Sequence, residues 1–379
     1  MRKAVLFDAR LVLERPTGIG RYIVSLLPPL CAAAPDWQFH VLRGPTPWPG
    51  YGLAEWSAAN VTHHVSRERH MSLAQHVTLP ALARRLRVDL LHYPHLDAPV
   101  QWGRVPVVAT IHDAKYLTLQ GLFPRFDALK RWALRRLFAA TVHRAAAIIA
   151  DSEATAADLR RFYGPRDLLR VVHLAADPSF APAPWEAVLA FRRRYDLARP
   201  YVLCVSEFRP HKNYARLVRA FAASRGAALH DLVLVGQRHA QDETPEQWAE
   251  EPGLAGRVRV LTDVSSDDLV AAYTGADLFA LVSLHEGFGL PILEAMACGA
   301  PVIASRTTAA GEVAGDGALL VDPESEPEIT AALDRVAGDR AEGARLREAG
   351  FARAKEFTWE QAARRTLAVY EEVLARRHS

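Results

Sequence analysis

Two glutamates stand eight positions apart in the stretch HEGFGLPILEAMACGAPVIAS, which covers residues 285–305. Glu286 precedes a Gly-Phe-Gly turn, and Glu294 falls one helical turn into the segment that follows. The glycines permit close approach of the backbone, and Pro291 suits the first turn of a helix because it needs no amide hydrogen there. The free N–H groups and the positive dipole end of such a helix attract phosphate.

A carboxylate this close to a phosphate would be repelled by it, so each glutamate must serve another group. Hydroxyls are natural partners, because an ionised carboxylate only accepts hydrogen bonds. Glu286 would then bind a sugar next to the phosphate, and Glu294 a ribose beyond it. The spacing alone is equally compatible with the alternative that neither glutamate binds a ligand. Glu286 would then be only a loop charge, and Glu294 a residue on the surface of a helix.

The elements that position these residues are predicted by short apolar runs that alternate with helix-length segments. The runs are AVLF, PVVATI and AAAIIA in the first half and YVLCVS, DLVLVG, ADLFALV and PVIAS in the second. Such strands indicate parallel sheets covered on both faces, with ligands at the carboxyl ends of the strands. The series restarts after a Pro/Ala-rich stretch at 174–186, which predicts two doubly wound α/β domains. The predicted bounds are 1–178 and 179–356, followed by a C-terminal helix over 357–379.

Length and composition agree with a two-domain protein, since 379 residues with 50% apolar content can build two cores. No window approaches the ~18 apolar residues of a membrane span. Cys31, Cys204 and Cys298 lie in apolar or small-residue settings, typical of reduced, buried thiols in a cytoplasm. Residues 1–180 carry 23 Lys and Arg against 14 Asp and Glu, whereas the remainder carries 23 against 29. The basic half is compatible with an anionic partner, although such a surplus is more often just a solvated face.

At residues 286–305, the two glutamates with seven residues between them resemble the E-x7-E signature of retaining glycosyltransferases of family 4, which have the GT-B fold. The resemblance extends over most of the chain. It implies two Rossmann-like domains facing each other across a cleft, with the acceptor on the first and the donor on the second. It also implies that the final helix crosses back to the first domain.

The implied activity is transfer of a hexose from a nucleotide-diphosphate sugar to a hydroxyl of a glycan or lipid-linked acceptor. The GIGRY, HD and KN variants are most similar to the subgroup that uses GDP-mannose in bacterial surface polysaccharide assembly, although UDP- and dTDP-sugars stay open. The alternative is a non-catalytic nucleotide-sugar sensor of the same fold. No cofactor and no nucleic-acid partner are predicted.

The stretch PTGIGRY, Pro16 to Tyr22, resembles the family's glycine loop, which implies that Gly18 and Gly20 lie beside the donor diphosphate. By itself a Gly-x-Gly also fits a nicotinamide-binding turn or an ordinary tight turn. A nicotinamide-dependent dehydrogenase would need a third glycine, which TGIGRY lacks.

The stretch ATIHDAKY places His112 and Asp113 at the end of a buried strand, where a lone histidine often has only a structural role. The resemblance implies that His112 contacts the transferred sugar near its anomeric centre and that Asp113 orients loops. With Glu286 holding sugar hydroxyls, these three are the predicted catalytic residues. The leaving phosphate itself would take the acceptor proton.

The stretch CVSEFRPHKN follows the first strand of the second domain. The resemblance implies that Lys212, and less closely Arg209, bind the diphosphate, although Glu207 stands where the family often has an arginine. These cations would neutralise the leaving group, and the sequence has no Asp-x-Asp triplet, so we predict no metal. A solvated turn is the alternative. The predicted donor-binding residues are Gly18, Gly20, Ser206, Arg209, Lys212, Phe288, Gly289, Leu290 and Glu294.

Two further pieces, HHVSRERHMSLAQH and LLHYPHLDAPV, contain six histidines: His63, His64, His70, His76, His92 and His95. They suggest zinc, but the sequence offers no tight i, i+4 pair and no nearby cysteine, so no metal ligand is predicted among them. The second piece follows a DLL strand and should reach the cleft, where the resemblance implies that the acceptor binds. Tyr93 and His95 are therefore the predicted acceptor-side residues.

A basic helical segment, FPRFDALKRWALRRLFAATVHRA, follows the His-Asp strand. Its cations are Lys130, Arg131, Arg135, Arg136 and Arg144, set among Phe126, Trp132, Leu134 and Phe138. It predicts docking on an anionic membrane surface, which together with a lipid-linked acceptor implies a cytoplasmic or peripheral location at the inner face of the cell membrane. A core-packed helix with a basic edge is the alternative.

Overall fold

The protein was examined as a computed structural model that describes residues 2–13, 17–45, 56–101, 103–119, 128–237, 246–250, 253–254 and 256–377. The chain divides into two compact units. Unit 1 is Met1–Leu174 together with Thr358–Ser379, and unit 2 is Ala175–Phe357. Among the described helices, none has the length and apolar content needed to cross a bilayer.

Unit 1 is built on parallel strands joined by helices. Its strands are β1 (Ala4–Asp8), β2 (Gln38–Arg43), β3 (Val61–Val65), β4 (Leu90–Tyr93), β5 (Val107–Ile111), β6 (Ala147–Ala150) and β7 (Leu169–Val171). Its helices are α1 (Gly18–Ala33), α2 (Gln75–Arg85), α3 (Lys115–Thr118), α4 (Ala128–Arg144), α5 (Glu153–Tyr163) and α14 (Trp359–Arg376). Within the described residues, the strands form one sheet in the order β3-β2-β1-β4-β5-β6-β7.

The centre of this sheet is buried on both faces, as the apolar runs predict. Every residue of β4, β5 and β6 is buried, whereas the edge strand β3 is only partly covered. The C-terminal helix α14 packs against α1, and the Tyr370 hydroxyl hydrogen-bonds the buried His92. The last helix of the chain is therefore part of the unit 1 core.

Unit 2 repeats the design with different elements. Its strands are β8 (Tyr201–Val205), β9 (Asp231–Val235), β10 (Val258–Leu261), β11 (Leu278–Leu281), β12 (Val302–Ser305) and β13 (Leu319–Val321). Its helices are α6 (Trp185–Arg194), α7 (Tyr214–Ala223), α8 (Glu246–Ala249), α9 (Ser266–Thr274), α10 (Leu290–Ala297), α11 (Thr308–Ala314), α12 (Glu326–Gly338) and α13 (Arg340–Ala354). The described strands form a parallel sheet in the order β10-β9-β8-β11-β12-β13.

Each sheet has one place where the strand order reverses. In unit 1 the reversal lies between β1 and β4, and in unit 2 between β8 and β11. Helices leave the sheet in opposite directions at such a point, so a crevice opens at the carboxyl ends of these strands. Ligands are expected at these two reversals.

The predicted buried thiols are confirmed, because all three cysteines are free and buried. Burial raises the pKa of Cys31, Cys204 and Cys298 to about 12. The thiols are therefore protonated at neutral pH and serve as small apolar side chains.

Candidate active site

An ion pair occupies the strand-order reversal of unit 2. Lys212 lies just beyond β8 and Glu286 just beyond β11. The ammonium of Lys212 donates to both carboxylate oxygens of Glu286, at 2.8 and 2.9 Å. The two side chains are only 13% and 8% exposed, so the pair is largely withdrawn from water. The structure thus joins two residues that lie 74 positions apart and that were predicted separately.

Lys212 is fixed by the backbone around it. It ends a short 3-10 helix, Pro210–Lys212, and Asn213 then takes a left-handed conformation with φ of 63° before α7 begins. The Asn213 side chain donates to the carbonyls of Val282 at 2.9 Å and Pro323 at 2.7 Å. These bonds tie the turn after β8 to the loops after β11 and β13, and the first of them keeps the Lys212 ammonium close to Glu286.

Glu286 is held through its backbone as well as its side chain. Its N–H donates to the hydroxyl of Thr308 at 3.1 Å. Thr308 has φ of 58°, an unusual value for a β-branched residue, and such strain is often stored at functional sites. Gly289 caps α10 with φ of 103°, a conformation that favours glycine. The predicted helix after the Gly-Phe-Gly turn is confirmed and begins at Leu290.

Glu294 lies on α10 with 4% of its surface exposed. Its Oε2 accepts a hydrogen bond from the hydroxyl of Tyr273 at 2.9 Å, and Tyr273 is on α9. The alternative of an exposed helix residue is therefore wrong, because Glu294 is buried and hydrogen-bonded. A buried carboxylate without such a partner would cost several kcal/mol.

The other predicted donor residues of unit 2 differ in how they are placed. Ser206 exchanges hydrogen bonds with the Tyr214 hydroxyl, at 2.7 and 2.8 Å. Arg209 lies 3.7 Å from the Glu207 carboxylate and is one-third exposed. The ring of Phe288 is buried against Phe357, at 6.0 Å between centroids. The ring of Phe288 therefore belongs to the core, and its assignment to the donor stays a prediction.

In unit 1 the predicted catalytic histidine has an acidic partner. His112 follows β5, Asp151 follows β6, and Nδ1 of His112 lies 2.6 Å from Oδ2 of Asp151. Burial lowers the pKa of His112, but the attraction of Asp151 outweighs it and leaves the pKa raised. The ring of Tyr22 packs edge-on against His112 at 4.8 Å. Asp113 forms an ion pair with Lys115 at 2.8 Å, which agrees with an orienting role.

The two predicted loop glycines belong to the start of α1. The hydroxyl of Thr17 accepts the N–H of Gly20 at 3.0 Å, which caps the helix, and Gly18 is its first residue. A side chain at Gly18 would meet nothing within 4 Å, so open space adjoins the helix start. Pro16 lies outside the described residues.

The predicted acceptor-side residues lie at the end of β4 and just beyond it, at the reversal of unit 1. Nδ1 of His95 lies 2.5 Å from Oδ1 of Asp97, and the His95 side chain is 16% exposed. Tyr93 is fully buried, and its hydroxyl contacts His70 at 2.9 Å and Asp97 at 3.1 Å. Of these two residues, only His95 is therefore exposed. Tyr93 is the last residue of a buried strand and supports the His95–Asp97 pair from the interior of the unit.

Residues 16–180 match the family model described as Glycosyltransferase Family 4, and residues 190–353 match the model described as Glycosyl transferases group 1. The chain belongs to the family 4 glycosyltransferases. The predicted fold class is confirmed with it, because each half of this glycosyltransferase carries its own parallel Rossmann-like sheet.

Three relatives illustrate the range of the similarity. The glycosyltransferase is 28% identical to O-antigen chain mannosyltransferase B of Escherichia coli over 94% of this chain and 96% of that protein. It is 31% identical to a GDP-mannose-dependent phosphatidylinositol monomannoside mannosyltransferase of Mycolicibacterium smegmatis over 50% of this chain and 52% of that protein. The structure of Anabaena HepE in complex with UDP-glucose superimposes with a TM-score of 0.76 at 21% identity, covering 97% and 99% of the two chains.

Several site residues of this glycosyltransferase were missed by the sequence analysis. Asp151, Asp97 and Thr308 were not singled out, yet each contacts a predicted residue. Asp151 directly follows the buried run AAAIIA, so the rule that ligands gather at strand ends could have found it. No local signal marks Thr308, because only the fold brings it to Glu286.

Proposed function

We propose that the protein is a retaining glycosyltransferase that transfers mannose from GDP-mannose to a hydroxyl of a glycan or lipid-linked acceptor, without a metal in the reaction. The C1–phosphate bond of the donor breaks, the acceptor oxygen forms a new bond to C1 on the same face, and the leaving phosphate takes the acceptor proton. Unit 2 binds the donor and unit 1 binds the acceptor.

The observation that carries this proposal is the Lys212–Glu286 pair at the order reversal of unit 2. Both oxygens of Glu286 are engaged by Lys212, which disfavours Glu286 as a nucleophile and suits a role in holding sugar hydroxyls. The leaving diphosphate would replace Glu286 as the partner of the Lys212 ammonium. This fixed cation then stabilises the negative charge that develops on the leaving group. Arg209 supplies a second cation, and this is why a metal is not required. Glu294, beyond the start of α10, would accept from the ribose.

His112 in unit 1 is assigned to the transferred sugar, with Asp151 positioning its ring and Asp113 orienting the loop that follows. His95 is assigned to the acceptor. The mannosyltransferase relatives support mannose, and the relative described as GDP-mannose-dependent supports guanine as the donor base. The loop after β10 would frame that base, where Asp263 takes a left-handed conformation with φ of 56°.

Replacing Lys212 with alanine is expected to weaken GDP binding by about 1.5–3 kcal/mol, the range for a charge-assisted hydrogen bond. Isothermal titration of the parent with GDP, UDP and dTDP should first rank GDP tightest. Lys355→Ala removes an exposed cation from the same unit and should bind GDP as the parent does. Tightest binding of UDP or dTDP would overturn the donor assignment, and equal GDP affinity in Lys212→Ala would overturn the role of Lys212.

We further propose that unit 1 docks on anionic membrane through the middle of α4. A groove of about 360 Å³ is lined by Trp132, Arg135, Arg136 and Phe162, together with Leu117, Ala139 and Tyr163. Trp132 is 59% exposed and Arg136 stacks over its ring at 5.5 Å. An exposed aromatic ring beside arginines suits the membrane interface. Phe126 and the side chains of Lys130 and Arg131 lie outside the described residues.

Replacing Arg135 and Arg136 with glutamine is expected to weaken binding to vesicles containing phosphatidylglycerol by about 2 kcal/mol, since each arginine near anionic lipid contributes about 1 kcal/mol. Co-sedimentation at low and high salt measures it. The variant carrying Arg193→Gln and Arg225→Gln loses the same charge from exposed positions of unit 2 and should bind as the parent does. Equal sedimentation of both variants would reject this surface.

A further inference from the structure

We propose that His70, His95 and Asp97 form a binding site for a divalent transition metal, with Zn²⁺ the best match. The ligand atoms of these three side chains all lie within 4.8 Å of one another. His70 belongs to the segment between β3 and α2, whereas His95 and Asp97 follow β4. The site lies in unit 1 and goes beyond the proposed transfer reaction, which uses no metal.

The fold places the three residues where a ligand is expected. The loop after β4 begins at the strand-order reversal of unit 1, beside the end of β1. Carboxyl ends of parallel strands at such a reversal form a crevice. His70 reaches the same place from a different loop, since its Nε2 contacts the hydroxyl of Tyr93, the last residue of β4. A sequence separation of 25 positions between the two histidines hides this proximity.

The three side chains have the chemistry that zinc takes up. Two imidazoles and a carboxylate match the three protein ligands of zinc sites that keep a fourth position for water. His95 and Asp97 are already paired, with Nδ1 of His95 2.5 Å from Oδ1 of Asp97, and His70 reaches them from the segment before α2.

The contacts around the cluster orient its side chains and leave one imidazole nitrogen without a partner among the described residues. Nε2 of His70 bonds the Tyr93 hydroxyl at 2.9 Å, while its Nδ1 is buried without a partner among the described residues. Gln75 donates to Oδ2 of Asp97 at 2.7 Å, which orients the carboxylate. A metal-binding histidine usually has one ring nitrogen hydrogen-bonded to a neighbouring group, which leaves the other nitrogen for the metal.

The charge balance also favours a dication. Besides Asp97, the carboxylate of Asp8 interacts with the charge on His70, and Arg10 is bound to Asp8 at 2.7 Å. Two carboxylates thus stand against one guanidinium around His70, so these surroundings are negative. An ion with two positive charges would compensate them where water is largely excluded.

Binding requires a small contraction, because two atoms ~2.1 Å from one zinc ion cannot be more than about 4.2 Å apart. His95 can supply the movement, since its side chain is partly exposed and comes from a loop. A further imidazole, His76, lies near enough to Asp97 to interact with its charge, and its Nδ1 is also buried without a described partner. Once bound, the ion would tie the 66–74 segment to the loop after β4.

Zinc titration of the full chain tests this site after dialysis against a chelator. We expect one Zn²⁺ per chain by isothermal titration and by elemental analysis, and a thermal midpoint several degrees higher with zinc in excess. His70→Gln and Asp97→Asn should each abolish the stoichiometric binding and the thermal shift. His64→Gln is the matched control, because His64 pairs with His40 at 3.0 Å outside the cluster and should leave zinc binding unchanged.

The conservative variants are chosen to keep side-chain volume, and circular dichroism will show whether each one folds. Absence of stoichiometric zinc in the parent, or unchanged zinc binding in folded His70→Gln and Asp97→Asn, would overturn the proposal and leave the cluster as a hydrogen-bond network. Zinc stoichiometry bears only on this site. Turnover that returns with Mn²⁺ bears on the transfer chemistry, so the two proposals fail separately.

Discussion

Replacing Glu286 with alanine is expected to lower turnover by about 10³-fold or more, while GDP affinity stays the same or rises. The carboxylate is assigned to the transferred sugar, which free GDP lacks. Both carboxylate oxygens of Glu286 also accept hydrogen bonds from the Lys212 ammonium, at 2.8 and 2.9 Å. Removing it releases the ammonium for the diphosphate. Steady-state kinetics and isothermal titration with GDP measure the two effects.

The controls for Glu286 separate its chemical role from a structural one. Glu324→Ala removes an exposed carboxylate of the same unit and should leave both quantities unchanged. Glu286→Gln keeps the volume of the side chain and should still lose most of the turnover, because an amide is a weaker acceptor for sugar hydroxyls. Near-parent turnover in Glu286→Ala with weakened GDP binding would show that Glu286 only positions Lys212.

Replacing His112 with alanine is expected to lower turnover by about 10²- to 10³-fold, the range for a hydrogen-bonding group at the reacting centre. Its partner Asp151 gives a more diagnostic test. Burial lowers the pKa of His112 and Asp151 outweighs it, so the imidazolium persists to higher pH than in a free histidine. In Asp151→Asn the main contribution that opposes burial is lost, although Asp113 and the Pro94 carbonyl remain, so the pKa of His112 should fall.

The pH profile of kcat/KM should therefore change in Asp151→Asn. If the imidazolium donates to the sugar, activity is lost as pH rises through the pKa of His112, and the alkaline limb moves to lower pH in the variant. Asp167→Asn alters an exposed carboxylate of unit 1 and should keep the parent profile. Superimposable profiles for Asp151→Asn and the parent would remove His112 protonation from the mechanism.

The central strands could be predicted from sequence because burial on both faces requires continuous apolar runs. Strands β5, β8, β9 and β11 are buried at every position and were all predicted. The edge strands have no such requirement. In β3, VTHHV, no residue is fully buried, and β10 has one buried residue of four, so neither has a continuous apolar pattern.

The site residues follow a similar division. Glu286, Lys212 and His112 were predictable because each lies in a local motif or directly after a buried strand. Their contacts were not predictable, since Lys212 follows β8 and meets Glu286 after β11, with β9 and β10 between them in the chain, and His112 meets Asp151 across neighbouring strands. Local patterns place a residue on an element, whereas strand order decides which elements meet. Buried polar partners such as Tyr273 for Glu294 therefore required the fold.

The measurement that tests the account most directly is the anomeric configuration of the product. The protein would be incubated with GDP-α-mannose and an alkyl α-mannoside acceptor in the presence of EDTA, and the one-bond carbon–proton coupling at the new anomeric centre would be read by NMR. The account predicts an α-linked mannoside formed at the same rate with and without EDTA. A β-linked product would contradict retention, and a product that forms only after Mn²⁺ is added would contradict the metal-independent role of Lys212 and Arg209.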